Sequence, residues 1–526
     1  MTPHQKTRRG TTLHNTKAHA QDHQNWSRRS FLSMLGLAGA TSVGLSAFPL
    51  TGLRGAPLFD LLANTDTNRK LVLIRLKGGN DGLNTIVPIF DYDRYANFRP
   101  TLRHQQTDLI GLDADFAMPT AMADLQSLWA EGQMRVVNSV GYANHSLSHF
   151  TGADIMASGD SNLEENGDGW LARFYTSVNP DYRENPPSVP PAIKLGGPTS
   201  ILFNDADKVD ISANFATPEG LEELASTGRR FDDLTAPDNC YHGEQVLFLR
   251  SVGNAAYRYS AAIFEAFEAG ANGVEYTSSL GEQLKLVAPL IKGGLPTQLY
   301  LVTLDGFDTH VGQNGSGNHL GLLEDLSQAI NQFYADLALT ESDEEVLAMT
   351  YSEFGRRVAE NGLSGTDHGA ALPVMLFGPP LNGAGVHGEK PDLGDLDVTG
   401  NLKFGTDFRS LYATILENWF CLAADDVNAV LGGNYDRLPE LGFACGTTST
   451  NNQSNVLASG LETRLLTLGG GQYRITFELP QDANLHLELY TMDGRRLQTL
   501  LSGYRPAGEQ FVDFSLAGTG LELAPL

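Results

Sequence analysis

The chain alternates between short, nearly continuous apolar runs and longer segments with the periodicity of amphipathic helices. Five runs have the length and composition of strands buried on both faces of a sheet. They are Leu71–Leu76, Met134–Val140, Gln298–Leu304, Val346–Thr350 and Pro373–Phe377. Helical patterns lie between them, as at Met122–Trp129 and Leu320–Leu337. This alternation predicts an α/β fold with a mostly parallel central sheet and helices on both faces.

The pattern changes towards the C-terminus. Residues 446–460 are small, polar and uncharged, which is the composition of a flexible linker. Residues 461–526 alternate apolar with polar positions and contain turn signals such as Asp493-Gly494. Such a pattern is typical of a small antiparallel β-sandwich. We therefore expect a large α/β domain over residues 65–445, a linker and a C-terminal β-sandwich.

The first 54 residues differ from the rest in charge. They carry seven basic residues and one acid, a net charge of 7 − 1 = +6, whereas the whole chain has 36 − 62 = −26. The pair Arg28-Arg29 directly precedes the weakly apolar run Phe31–Ala47, an order that resembles a twin-arginine export signal. The run is too short and too rich in small residues for a membrane anchor. We expect export through the twin-arginine translocase to the periplasm, the cell surface or the extracellular space.

Composition narrows the functional classes. With 41% apolar and 19% charged residues the chain can bury a sizeable core. The remainder after residue 54 has a net charge of 29 − 61 = −32, which argues against nucleic acid as a partner. Three cysteines permit at most one disulfide. A bridge between Cys421 and Cys445 is one interpretation, and buried free thiols are the favoured one.

Polar side chains with metal-binding chemistry adjoin the predicted strands. Asp81 follows the first strand, Asp308 and His310 follow the third, Glu353 follows the fourth, and the pair Asp367-His368 precedes the fifth. In open parallel sheets, ligands collect beyond the carboxyl ends of the strands. A single aspartate there would more often be a turn former. Together, the carboxylates and imidazoles favour a site for one or two divalent cations.

A second informative segment, Asn144–Phe150, follows the second strand and opens a helical pattern. A serine at a helix N-terminus meets free backbone N–H groups and the positive end of the helix dipole, which suits an anionic substrate. If its hydroxyl also contacts a metal, it can become a nucleophile. The alternative is that Ser146 or Ser148 only caps the helix. The sequence leaves both interpretations open.

Five motifs occur in an order that resembles the bacterial domain-of-unknown-function 1501 family. They are Lys77–Asn84, Ser146–Phe150, Gly306–His310, Ser352–Arg356 and Gly365–Gly369. The family is similar to a branch of the alkaline-phosphatase-like superfamily and is typically exported by the twin-arginine route. The resemblance covers roughly residues 71–431.

The resemblance implies a metal-dependent hydrolase of phosphate or sulfate esters that acts on a small anionic ester and uses one or two divalent ions (Zn, Mn, Mg or Ca). One metal would take Asp81, the nucleophile and the Asp-His pair, and the other would take Asp308, His310 and a third ligand, either His387 or His319. The candidate catalytic residues are Ser148, Ser146, Glu353 and Arg356, with Ser148 as the leading nucleophile. The candidate metal ligands are Asp81, Asp308, His310, His319, Asp367, His368 and His387.

Two further interpretations concern the C-terminal residues and the chain as a whole. Residues 461–526 resemble the C-terminal sorting domain of proteins secreted by the type nine system, which implies outer-membrane secretion machinery as a partner. A carbohydrate- or surface-adhering accessory domain is the alternative. For the whole chain, the alternative to a hydrolase is a non-catalytic exported surface or assembly protein that retains the fold.

Overall fold

A computed structural model describes residues 68–160, 167–183, 187–196, 200–215, 257, 259–381, 383–443 and 445, together with five C-terminal strands. The export signal expected at residues 1–54 and the linker at 446–460 lie outside the described residues. Two compact units divide the chain, Met1–Cys445 and Gly446–Leu526. Among the described residues, no helix combines the length and apolar character needed to cross a membrane.

A nine-stranded sheet forms the centre of the first unit. The strands of this unit, in chain order, are β1 (Lys70–Lys77), β2 (Val87–Pro88), β3 (Leu109–Gly111), β4 (Phe116–Pro119), β5 (Met134–Gly141), β6 (Ala192–Lys194), β7 (Ser212–Ala213), β8 (Leu299–Asp305), β9 (Val346–Tyr351), β10 (Leu372–Phe377), β11 (Gly385–His387) and β12 (Thr406–Asp407). All five predicted strands are present as β1, β5, β8, β9 and β10. Strands β2, β3 and β4 form a separate small antiparallel sheet.

The central sheet has the order β11-β5-β10-β9-β1-β8-β6-β7, with β12 also paired to β5. Strand β1 lies in the middle and pairs in parallel with β8 on one side and with β9 on the other, Leu71 facing both Leu299 and Leu347. Strand β10 is inserted between β9 and β5 and is antiparallel to both. The residues just before β10 therefore lie at the same edge of the sheet as those that follow β1, β8 and β9.

Helices flank the sheet, and the predicted α/β class is confirmed. In chain order they are α1 (Gly82–Thr85), α2 (Tyr92–Phe98), α3 (Gln126–Ala130), α4 (His149–Ser158), α5 (Trp170–Val178), α6 (Ser279–Lys292), α7 (His319–Ala338), α8 (Phe408–Thr414) and α9 (Ala424–Leu431). Residues 259–269 are also helical. Strands β1, β5, β8, β9 and β10 are almost wholly buried because helices cover both faces of the sheet.

The turn after β1 is built from glycines. Gly78 and Gly79 have φ values of +123° and +81°, which other residues adopt only with strain. A Cβ atom on Gly78 would lie 2.3 Å from the backbone nitrogen of Asp308. Glycine is needed here because the loops after β1 and β8 are in close backbone contact. This contact brings Asp308 to the carboxyl end of β1.

A disulfide joins Cys421 to Cys445 across 24 residues. The favoured expectation of free thiols is therefore wrong for this pair. Next to the bridge, the Arg69 guanidinium lies 4.7 Å from the centre of the Trp419 ring and donates a 2.9 Å hydrogen bond to the Trp419 carbonyl. The bridge and this contact connect the end of the first unit to the segment that enters β1.

The second unit contains two antiparallel sheets, as the alternating pattern predicted. Its strands are β13 (Thr463–Gly469), β14 (Gln472–Leu479), β15 (Ala483–Tyr490), β16 (Arg496–Arg505) and β17 (Gly508–Ser515). One sheet has the order β13-β14-β17, and β15 pairs with β16 in the other. Tyr473 and Phe514 are buried and stack with ring centroids 5.6 Å apart.

Candidate metal centre

Four side chains converge at the carboxyl edge of the central sheet. The Oδ1 atom of Asp308 lies 3.2 Å from His310 Nε2, 3.5 Å from His149 Nε2 and 3.6 Å from His368 Nε2. The Nε2 atoms of His310 and His368 are 2.8 Å apart. Asp308 and His310 follow β8, His149 begins α4, and His368 precedes the antiparallel strand β10. We call these four residues the His-Asp cluster.

Hydrogen bonds on the far side of two rings fix their tautomers. His368 Nδ1 lies 2.7 Å from the carbonyl oxygen of Leu147, which can only accept. His310 Nδ1 lies 3.2 Å from Asp367 Oδ1. The hydrogen bond from the Asn361 amide and, to a smaller extent, the contact with His310 keep the pKa of Asp367 below its usual value. The Asp367 carboxylate is therefore an acceptor. Both Nδ1 atoms therefore donate, and in the neutral form of each ring the Nε2 lone pair is directed into the cluster, where a cation would be coordinated by both.

The cluster fits a divalent cation. With metal-ligand distances of about 2.0–2.2 Å, the donor atoms of a tetrahedral zinc site are separated by roughly 3.3 Å, close to the distances from Asp308 Oδ1. The Nε2 atom of His149 is buried and has no hydrogen-bond partner among the described residues. The donor atoms of His149, Asp308 and His368 lie within 4.8 Å of one another. Asp308 is half exposed, so a bound ion would remain accessible from solvent.

Arg356 contacts the cluster from its buried side. Its guanidinium is fully buried and donates to Asp308 Oδ1 at 2.7 Å. It also donates to four backbone carbonyls, those of Gly78, Gly79, Phe307 and Thr366. These carbonyls belong to three different loops. Arg356 thus joins the loops after β1 and β8 to the loop before β10, and little of its donor capacity remains for a substrate.

Glu353 is also buried and is held by the turn after β1. Its carboxylate accepts from the backbone N–H groups of Gly78 and Gly79 at 3.0–3.2 Å and from the Arg75 guanidinium at 3.3 Å. His149 Nδ1 is 3.9 Å away. The ring of Phe354 packs against the imidazole of His149, with centroids 4.9 Å apart. Glu353 and Phe354 therefore position His149.

Asp81 lies deeper than the cluster. Its side chain is fully buried, and Oδ2 accepts from Arg99 at 2.6 Å and from Gln313 at 2.5 Å. Burial raises the pKa of Asp81, but the charge and hydrogen bond of Arg99, together with His319 and Gln313, outweigh this effect, and the pKa lies below its usual value. The carboxylate is thus charged, and its charge is already compensated by an arginine.

His319 belongs to the same buried layer. Its Nε2 atom contacts Asn80 Oδ1 at 3.1 Å, and the side chain is fully buried at the start of α7. Burial lowers the pKa of His319 to about 4, so the ring is neutral at pH 7. Among the described residues, the side-chain hydrogen bonds of His319 and Asp81 are with this buried layer and not with the His-Asp cluster.

The remaining predicted residues have other surroundings. Asp367 contacts His310 and Asn361 and lies behind the cluster. His387 ends β11 and contacts Arg135 at 2.8 Å, near the start of β5 rather than its carboxyl end. Of the seven ligands predicted from sequence, the structure brings three into the cluster: Asp308, His310 and His368.

Ser148 precedes His149 at the N-terminus of α4 and is exposed. Its hydroxyl makes no capping hydrogen bond. The Ser146 hydroxyl accepts from the backbone N–H of Ser148 at 3.2 Å. The fourth cluster residue, His149, was not predicted. It lies within the motif Ser146–Phe150, and its position at the first residue of the predicted helix was the available signal.

Residues 277–431 match the family model described as "Protein of unknown function (DUF1501)". The matched segment contains Asp308, His310, Glu353, Arg356 and the Asp367-His368 pair, whereas Asp81 and His149 precede it. No curated protein matches the sequence.

Several solved structures share low similarity with the chain. Alkaline phosphatase from the Antarctic bacterium TAB5 is 10% identical over 60% of this chain and 94% of its own, with a TM-score of 0.28. A protein of the alkaline phosphatase superfamily from Vibrio parahaemolyticus is 10% identical over 91% of both chains, with a TM-score of 0.29. The lipoteichoic acid synthase LtaP from Listeria monocytogenes is 9% identical over 89% of this chain and 92% of its own, with a TM-score of 0.28.

Proposed function

We propose that this protein is an exported, metal-dependent hydrolase of phosphate or sulfate esters. The observation that carries the proposal is the convergence of three imidazole Nε2 atoms and one carboxylate oxygen at the accessible edge of the sheet. The family-model match over residues 277–431 is consistent with it but supplies no activity.

The donor set favours one cation per chain. Three imidazoles suit zinc better than magnesium or calcium, which prefer oxygen ligands. When bound, the ion would supply Lewis-acid stabilisation of negative charge on the ester oxygens. His149, Asp308, His310 and His368 would hold it, and Asp367 and the Leu147 carbonyl would orient two of the rings. A second ion at Asp81 is disfavoured because that carboxylate is fully buried and already accepts from Arg99 and Gln313, whereas Asp308 is half exposed beside three imidazoles.

Ser148 is the proposed nucleophile. It adjoins His149 in sequence, its hydroxyl is not used as a cap, and it stands at the positive end of the ten-residue helix α4. Its Oγ atom would bond to phosphorus or sulfur while the ester oxygen departs and takes a proton. Water would then cleave the serine ester, releasing phosphate or sulfate and restoring the hydroxyl.

Export is supported by separate observations. The Cys421–Cys445 disulfide is typical of oxidising compartments, and the paired arginines 28 and 29 precede a short apolar run. We propose transport by the twin-arginine translocase. The C-terminal unit is proposed to engage outer-membrane secretion machinery as a sorting domain. The negative charge of the chain disfavours nucleic acid as a partner.

The proposal is tested by measuring bound metal and the hydrolysis of phosphate monoesters, phosphate diesters and sulfate esters. We expect one ion per chain and turnover that is lost when both Asp367 and His368 are replaced by alanine. Ser148→Ala should abolish turnover with metal still bound, and Ser146→Ala should leave most of it. A protein that binds no ion and cleaves none of these esters would instead be the non-catalytic alternative.

A further inference from the structure

A cleft with a volume of about 1040 Å³ adjoins the His-Asp cluster. His149 and Asp308 of the cluster lie on its wall, so a group bound at the cluster is continuous with this space. Pockets for whole drug-sized ligands have volumes of about 300–1,000 Å³. The cleft is therefore far larger than a phosphate or sulfate group needs.

Phe150 lines this cleft and is 86% exposed. It follows His149 directly, so its position in α4 is fixed by a residue of the cluster. A phenylalanine side chain left in water forgoes the free energy that its burial would contribute, so a ligand that covers it gains that term. Its accessible ring face carries negative partial charge, which attracts the weakly positive C–H groups of a saturated ring.

Three polar side chains of the same cleft make no hydrogen bond to any described residue: Asp154, Asn204 and Lys208. Asp154 lies one helical turn after Phe150 and thus on the same side of α4. By contrast, the other basic groups of the cleft are paired, Arg75 with Glu353 and Lys77 with Asp305. A carboxylate, an amide and an ammonium group therefore remain free to bind a ligand.

We propose that the cleft binds the alcohol portion of the ester and that this alcohol is a polyhydroxylated ring, making the substrate a sugar phosphate or a sugar sulfate. This inference rests on the proposed hydrolase function. Phe150 packs against the ring face. Asp154 and Asn204 accept hydrogen bonds from ring hydroxyls, and Lys208 donates to them. Together these contacts distinguish a sugar ester from a small alkyl ester with the same anionic group.

Ligand binding tests the proposal without requiring turnover. Dissociation constants of the metal-loaded, full-length protein are measured by calorimetry for ethyl phosphate, ethyl sulfate and the 6-phosphates and 6-sulfates of glucose, galactose and mannose. We expect at least one hexose ester to bind about tenfold more tightly than the corresponding ethyl ester. Phosphates and sulfates in parallel identify the anionic group. Phe150→Ala should remove this preference, and Phe150→Trp should keep it.

Phe511→Ala is the matched control, because Phe511 is 61% exposed and belongs to the second unit. Exposed phenylalanines contribute little to folding, so neither alanine variant should unfold. Equal affinity for ethyl and hexose esters, no measurable binding of any hexose ester, or a preference that survives in Phe150→Ala would overturn the inference. Hydrolysis of ethyl esters without a hexose preference would overturn it while leaving the proposed function intact.

Discussion

His310 and His368 face each other through their Nε2 atoms at 2.8 Å, while the Nδ1 atom of each ring has its own acceptor. Two lone pairs at this distance repel unless a proton or a cation lies between them. The acceptors are Asp367 for one ring and the Leu147 carbonyl for the other. The pair is therefore prepared for cation binding by groups that do not themselves contact the cation.

Asp367→Asn should weaken metal binding without abolishing it. The amide can no longer favour the Nδ1-protonated tautomer of His310 as strongly, and loss of such a supporting carboxylate typically costs 10- to 100-fold in affinity. His368→Ala should remove the site. Zn²⁺ affinity measured by competition with a chelator checks both, with the exposed Asp124→Asn as a control. Equal loss in the two variants would mean that Asp367 is a direct ligand, as the sequence predicted.

Asp81→Asn should chiefly lower stability, whereas Asp308→Asn should chiefly remove metal binding. Replacing Asp81 leaves the buried Arg99 charge uncompensated, which should lower the free energy of unfolding by about 3–5 kcal/mol. Asp308 is half exposed, and the buried Arg356 guanidinium that it contacts keeps its bonds to four backbone carbonyls, so its replacement should cost less, about 1–3 kcal/mol, while removing a metal ligand. Urea unfolding of the metal-free proteins measures the loss of stability. The metal content of the proteins after loading with metal measures the loss of the ligand. Loss of metal from a folded Asp81→Asn protein would argue for the second ion.

The stability of the first unit should fall between pH 7 and pH 5, and His319 should be one cause. Its pKa is about 4 in the folded chain and near 6.5 in the unfolded chain. The unfolded state therefore binds more protons in this interval, so the stabilisation is present above pH 6.5 and is lost as the pH falls. The loss due to this residue is about 2 kcal/mol.

Comparison with His319→Gln isolates this contribution. Glutamine can still contact Asn80 but does not titrate. The groups that face His319 are Asp81, Arg99, His104 and Arg356, and all four remain in the variant, including His104, whose pKa burial also lowers. Urea unfolding at pH 7 and pH 5 should give a smaller difference for His319→Gln than for the natural chain. Equal differences would assign the pH dependence to other groups.

The Cys421–Cys445 bridge should contribute about 3 kcal/mol to the stability of the first unit, since it closes a loop of 24 residues. The double variant Cys421→Ser/Cys445→Ser should unfold at correspondingly lower urea concentration, and Cys240→Ser should not. Thiol titration of the denatured, unreduced protein should find 3 − 2 = 1 free thiol. Three free thiols would show that the bridge does not form.

The sequence predicted the sheet well because its central strands are continuous apolar runs, and such runs are stable only when buried on both faces. Residue order alone, however, did not reveal that β10 is antiparallel. Because β10 is antiparallel to β9, the Asp367-His368 pair, which precedes β10, lies beside residues that follow β8, such as His310.

Site residues were harder to predict because tertiary partners decide their roles. Asp81 has the strand-end position of a ligand, but Arg99 reaches it from 18 residues away and neutralises it. His387 has the expected position downstream of the Asp-His pair, yet β11 pairs with β5 beside Arg135. His149 was overlooked because the serines beside it suggested a nucleophile, whereas the first residue of the helix supplies the imidazole.

The insertion of β10 between β5 and β9 also has a consequence for the order of folding. His368 meets the segment before α4 across 221 residues of sequence, and pairings of such long range form slowly, because much of the chain must be ordered first. The cluster can therefore assemble only once the middle of the sheet is complete. A cation that binds this cluster would bind only the folded state and would therefore stabilise the first unit as a whole against unfolding.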